Sequence, residues 1–154
     1  MIILDIHFDI KLKKLFKDLD IKEKNISNFS NFILNEYKNT RKTYLYNLDV
    51  KGIQSTTSGY YFGSSKNEEE AEMELCLKSG YRKIEKRRKY LLQSFFHELI
   101  HFRQDKFDNI SGKKLDYTEK DVTDRSPAYW DNPFEVEARE LEEKLYDAFE
   151  KIYY

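Results

Sequence analysis

His97-Glu98-Leu99-Ile100-His101 is the stretch on which the reading of this chain turns. It spells H-E-x-x-H, and the 154 residues hold only three histidines, so two of them fall within one pentapeptide. On a helix, residues i and i+4 lie one above the other on the same face. Two imidazoles stacked that way can grip one zinc ion. Glu98, about 100° further round the helix, can reach a water on that ion. Zinc acidifies the water and the carboxylate takes its proton, so the pattern carries a mechanism as well as a match.

Working outward, the segment from Arg82 to Phe107 lacks proline and glycine and predicts a long helix. Leu91, Leu92, Phe95, Phe96, Leu99, Ile100 and Phe102 share one arc that faces a core. Tyr90, Gln93, Ser94, His97, His101 and Gln104 gather on the opposite arc, polar but lightly charged, as suits the floor of a cleft. A catalytic zinc site uses three protein ligands and leaves a position for water, so a third ligand is required. His7 reads as a packed strand residue, which leaves a carboxylate downstream. In Asn132-Pro133-Phe134-Glu135-Val136-Glu137-Ala138-Arg139, Asn132 is a helix cap and Pro133 fits the first helical position. Phe134, Ala138, Leu141, Leu145, Ala148 and Ile152 form the expected apolar stripe of that helix. Glu135 and Glu137 flank the stripe, and either can point at the histidines. Glu135 also suits a capping box with Asn132 and an ion pair with Arg139, four residues on. Geometry alone leaves the two glutamates level.

With these residues in place, the chain resembles the gluzincin type of zincin metallopeptidase. In that group the two histidines of H-E-x-x-H and a glutamate from a later helix bind zinc. The glutamate often stands in E-x-x-A-D or E-x-x-A-N. Glu135-Val136-Glu137-Ala138-Arg139 is similar, with Ala138 at the small position. The resemblance implies His97, His101 and Glu135 as zinc ligands and Glu98 as general base. It departs at Arg139, where an aspartate or asparagine commonly supports a ligand histidine. It covers only about 97–101 and 133–141.

Composition bounds the rest. The length suits one domain over residues 1–154. Charged residues make up 36% and hydrophobic ones 40%, as in a soluble globular protein, and the net charge of −1 gives no general case for nucleic acid or an anionic membrane. The basic run Lys83, Lys86, Arg87, Arg88 and Lys89 reads as the exposed start of the motif helix. The lone Cys76 excludes an internal disulfide framework and reads as a small packing residue. The opening Met1–Ile10 lacks the basic start and cleavage site of a signal peptide, and no stretch is long enough to span a bilayer, so the expected location is cytoplasmic.

Strands are expected at Ile2–Phe8, Thr43–Val50, Gly59–Phe62 and Glu72–Leu77, with a turn at Ser55–Gly59. Met73, Leu75 and Leu77 should point inward and Cys76 outward. Helices are expected at Leu12–Leu19 and Ile26–Lys38. The fold class is α+β: a small zincin-like domain, a twisted sheet packed on the histidine helix, followed by the glutamate helix. By analogy with the family, an edge strand beside the cleft holds an extended peptide substrate, and Glu72–Leu77 is the candidate. The span Asp108–Asp131 reads as a long loop walling the cleft. It carries Asp116, Asp121, Asp124 and Asp131 as rival ligands and Tyr117 and Tyr129 as rival oxyanion donors. The expected function is a zinc-dependent peptidase acting on a peptide or protein. The alternatives are a non-catalytic zinc-binding module on the same scaffold and a metal-free interaction protein.

Overall fold

Alternation of apolar and polar residues builds the sheet. In β1 (Ile2–Phe8), Ile2, Leu4 and Phe8 are buried, while Ile3, Asp5 and His7 are exposed. β2 (Tyr44–Ile53) buries Leu48 and Val50 on the same side and exposes Asn47, Asp49 and Lys51. β4 (Glu70–Cys76) buries Ala71, Met73 and Leu75. The computed structural model describes residues 1–38, 40–54, 59–63, 69–107 and 130–154. Between β1 and β2 lie α1 (Ile10–Asp18) and α2 (Glu23–Tyr37), which supply the long crossover that two parallel strands need. β3 (Gly59–Gly63) precedes β4, and α3 (Ile84–Lys106) and α4 (Pro133–Tyr153) follow it. The four-stranded sheet has the order β1-β2-β4-β3, with β1, β2 and β4 parallel and β3 antiparallel to β4. With four helices among the described residues, the architecture is α+β, as the sequence predicts.

The inward strand residues and the buried residues of all four helices form one core. The helices therefore cover one face of the sheet, and the other face carries Asp5, His7, Asp49 and Glu72 to solvent. Aromatic rings tie the layers together. Phe149 of α4 meets Phe29 of α2 and Phe96 of α3, with centroids 5.4 and 5.6 Å apart.

The two borders of the sheet differ. On β1, side-chain amides of α2 take the place of another strand. Asn31 accepts from the Leu4 N–H and donates to the Leu4 carbonyl, and Asn35 does the same for Ile2, over 2.7–3.0 Å. The opposite border is β3, and among the described residues no further strand lies beyond it.

Several expectations are corrected. The segment Glu72–Leu77 is not an edge strand, because β4 pairs with β2 on one side and β3 on the other. Cys76 is buried rather than outward, where its thiol donates to the Lys78 carbonyl as the strand ends. His7 is not packed: it lies on the solvent face 3.2 Å from Asp5. On α4 the buried positions are Glu135, Ala138, Tyr146 and Phe149, while Ala148 and Ile152 are exposed. The polar arc of α3 is no open cleft floor, since α4 lies across it and Ser94, His101 and Gln104 are buried. Asp116, Asp121, Asp124, Tyr117 and Tyr129, the loop that carries them, and Ser55–Ser58 of the expected turn lie outside the described residues. No helix among those described is long and apolar enough to cross a membrane.

Candidate metal centre

Helical spacing alone brings His97 and His101 together on α3: their ring centroids are 4.9 Å apart and nearly perpendicular. The third group arrives from α4. Asn132 caps that helix by accepting from the Phe134 N–H at 2.9 Å, and Pro133 opens it, so Glu135 falls in the first turn. There its carboxylate turns to α3. Oε2 lies 3.0 Å from Nε2 of His97 and Oε1 lies 2.8 Å from Nε2 of His101. One ligand atom from each of the three residues fits within a 4.8 Å span. Ligand atoms around a tetrahedral zinc at its usual bond lengths stand about 3.3 Å apart, a spacing that falls within this span.

Glu137 is directed elsewhere. Its Oε1 accepts from Arg103 and, at 3.0 Å, from Nε2 of Gln104. Arg139 forms no part of the cluster. Its guanidinium lies 4.3 Å over the Trp130 ring and donates to the Trp130 carbonyl. Asp131 is exposed at the mouth of α4, and His7 lies on the sheet face away from the helices.

Two further residues complete the surroundings, and the sequence reading assigned neither a role. Glu142 places Oε2 2.6 Å from Nδ1 of His97, and Gln104 places Oε1 2.8 Å from Nδ1 of His101. With each Nδ1 engaged by an oxygen, each Nε2 faces the shared centre. Metal-binding histidines are commonly oriented in this way. The donor set therefore fits a zinc-like ion: two imidazole nitrogens, one carboxylate, and an outer oxygen behind each ring. Sequence signals for both residues existed. Glu142 is two helical turns beyond Glu135 on the same stripe, and Gln104 follows His101 by three.

Glu98 is not among the three converging residues. Its side chain is buried against β3: a Cβ on Gly59 would stand 3.3 Å from its Oε1. Burial raises the Glu98 pKa. Attraction to His101 and His97 draws it back, and repulsion from Glu135 and Glu142 adds to the rise, leaving it above the ordinary value. At His97, burial disfavours the cation. The hydrogen bonds to Glu135 and Glu142, with the charges of Glu98 and Glu135, outweigh it and push the pKa up to about 10. Burial also opposes the Glu135 carboxylate, but hydrogen bonds from His101 and His97 hold it well below the usual carboxylate range.

No protein-family model matches the chain, and neither a curated protein nor a solved structure shows significant similarity to it.

Proposed function

We propose that this chain is a zinc-dependent metallopeptidase, with His97, His101 and Glu135 as metal ligands and Glu98 as general base. The observation that carries the proposal is the meeting of two imidazole Nε2 atoms and one carboxylate from two helices, with each Nδ1 tied down from behind. Zinc bound there would supply Lewis acidity, lowering the pKa of a water to about 7 and polarising the scissile carbonyl. The chain's own groups do the rest. Glu98 takes the proton of the attacking water and passes it to the leaving amine, a role suited to a carboxyl whose pKa burial raises.

The sheet supports a peptide as the substrate class. Among the described residues β3 stands at its border, and a side chain at its Gly59 would meet Glu98. An extended chain adding to β3 by main-chain hydrogen bonds would pass beside the general base, which favours a peptide. The β1 border, where Asn31 and Asn35 occupy the backbone, offers no such ladder.

Two measurements test the reading. Purified protein should hold one zinc per chain, lost in His97→Ala and Glu135→Ala but kept in Glu137→Ala. Glu98→Gln should keep the metal and lose about 10²–10⁴-fold in peptide hydrolysis. Unchanged turnover in Glu98→Gln rejects the mechanism. Zinc loss in Glu137→Ala with retention in Glu135→Ala rejects the ligand set. The burial of Glu98, only 5% exposed, favours a second reading: a zinc-binding module without turnover. Wild-type protein that holds zinc yet cleaves no peptide library would select it.

A further inference from the structure

We infer that Glu137 is a positioning residue for His101, acting through the side-chain amide of Gln104. The inference rests on the metal-centre reading above. Gln104 is buried, and its Nε2 lies 3.0 Å from two oxygens, the Phe134 carbonyl and Oε1 of Glu137. The carbonyl has no proton to give, and the Glu137 carboxylate is paired with the Arg103 guanidinium. Only the amide NH₂ can satisfy both, so the NH₂ faces α4 and Oε1 faces His101. Turned the other way, the amide oxygen would meet two acceptors in a buried site. Oε1 has only lone pairs, and it lies 2.8 Å from Nδ1 of His101. That nitrogen must carry a proton, so Nε2, which lies 2.8 Å from Glu135, is the ring atom left to give up its proton and offer a lone pair to a metal.

Glu137 is itself fixed. Arg103, which binds it, stacks its guanidinium 4.3 Å over the Tyr37 ring of α2. A chain of contacts therefore runs from Tyr37 through Arg103, Glu137 and Gln104 to His101. It crosses from α3 to α4 and back. His97 is held differently, by the Glu142 carboxylate acting directly. The glutamate that rivals Glu135 for the ligand role thus has a separate one: together with the Phe134 carbonyl it holds the Gln104 amide so that its oxygen meets the imidazole.

The test uses the full-length chain stripped of metal. Zinc affinity is measured by chelator competition, coordination by the visible absorption of the cobalt-loaded protein, and folding by thermal melting. Gln104→Leu should melt cooperatively, bind zinc about 10–100-fold more weakly and shift the cobalt bands. Glu137→Ala should weaken zinc binding in the same direction. Glu137→Gln should recover much of the loss, because the introduced amide can still accept from Gln104. Wild-type zinc affinity in Gln104→Leu, or equal affinities in Glu137→Ala and Glu137→Gln, overturns the inference alone. The Glu137 pair decides it if Gln104→Leu does not fold. Loss of zinc in Glu137→Ala as complete as in His97→Ala would make Glu137 a ligand and also overturns it. Wild-type protein that binds no more zinc than His97→Ala overturns the metal-centre reading, and this inference with it.

Discussion

Gly59 shows how narrowly single residues are fitted around the site. A methyl group there would stand 2.9 Å from the Glu74 carbonyl and 3.3 Å from both Cγ and Oε1 of Glu98. The carbonyl belongs to the paired strand and cannot swing aside, so β3 or the Glu98 side chain must yield. Gly59→Ala is expected to cost about 1–3 kcal/mol in urea unfolding and to lower peptide turnover while zinc affinity stays within a few-fold of wild type. Full turnover in this variant would show that Glu98 does not depend on the close approach. The sequence marks Gly59 as the point where a turn gives way to a strand and nothing more, because its neighbour Glu98 is brought to it by the fold.

At the scale of elements, α2 closes the β1 border with two asparagines one helical turn apart. Removing an amide leaves a β1 N–H and C=O without their partner in a partly buried setting. Asn31→Ala is expected to lower the unfolding free energy by about 1–3 kcal/mol, read by urea denaturation. The double variant with Asn35→Ala should also self-associate in size-exclusion chromatography, since a bare strand edge is a template for pairing. A monomeric double variant of wild-type stability would deny the amides that role. Elements were largely legible in the sequence. β1 matches its expected span, and α3 differs from Arg82–Phe107 by two residues at one end and one at the other. The phase of α4 was not legible. Hydrophobicity predicts an apolar stripe of Phe134, Ala138, Leu141, Leu145, Ala148 and Ile152, yet of these α4 buries only Ala138 and turns Glu135 inward, with Glu142 half-covered beside it. Its partner face on α3 carries two histidines and a glutamine, so carboxylates belong in that contact, and a hydrophobicity pattern passes them over.

Over the whole molecule, the cluster should couple stability to pH and, on the metal-centre proposal, to zinc. In metal-stripped protein the proton on His97 is held to about pH 10, against an ordinary value of 6.5. Its stabilising contribution is therefore complete below about pH 6.5 and is lost as the pH rises through about 10. Glu135 works in the opposite sense. Its carboxylate contributes above its ordinary 4.5, and the contribution is lost as the pH falls towards its depressed folded value. Glu98, whose raised pKa costs stability as the pH climbs above its ordinary 4.5, adds to the loss on the alkaline side, so the melting temperature of stripped protein should decline from about pH 6.5 towards pH 10. Zinc must displace protons to bind, so the rise in melting temperature on adding zinc should grow over the alkaline half of that range. An alkaline slope clearly shallower in His97→Ala than in wild type would assign the effect to His97. The same slope in both would remove it.

By itself the sequence determined what acts over short range: strand alternation, the long helix of H-E-x-x-H, the Asn132–Pro133 helix start, and the pairing of His97 with His101 one turn apart. These follow from periods of two and 3.6 residues and from capping chemistry, all of which are local. The tertiary structure brought Glu135, the glutamate the family resemblance implies, to the histidines and turned Glu137 towards Arg103 and Gln104, and it alone made β3 rather than β4 the border strand and put Glu142 and Gln104 behind the imidazoles. Those outcomes depend on how α4 is rotated against α3 and on where β3 joins the sheet. Packing of the whole core sets both, and neither is written in any one segment of the chain.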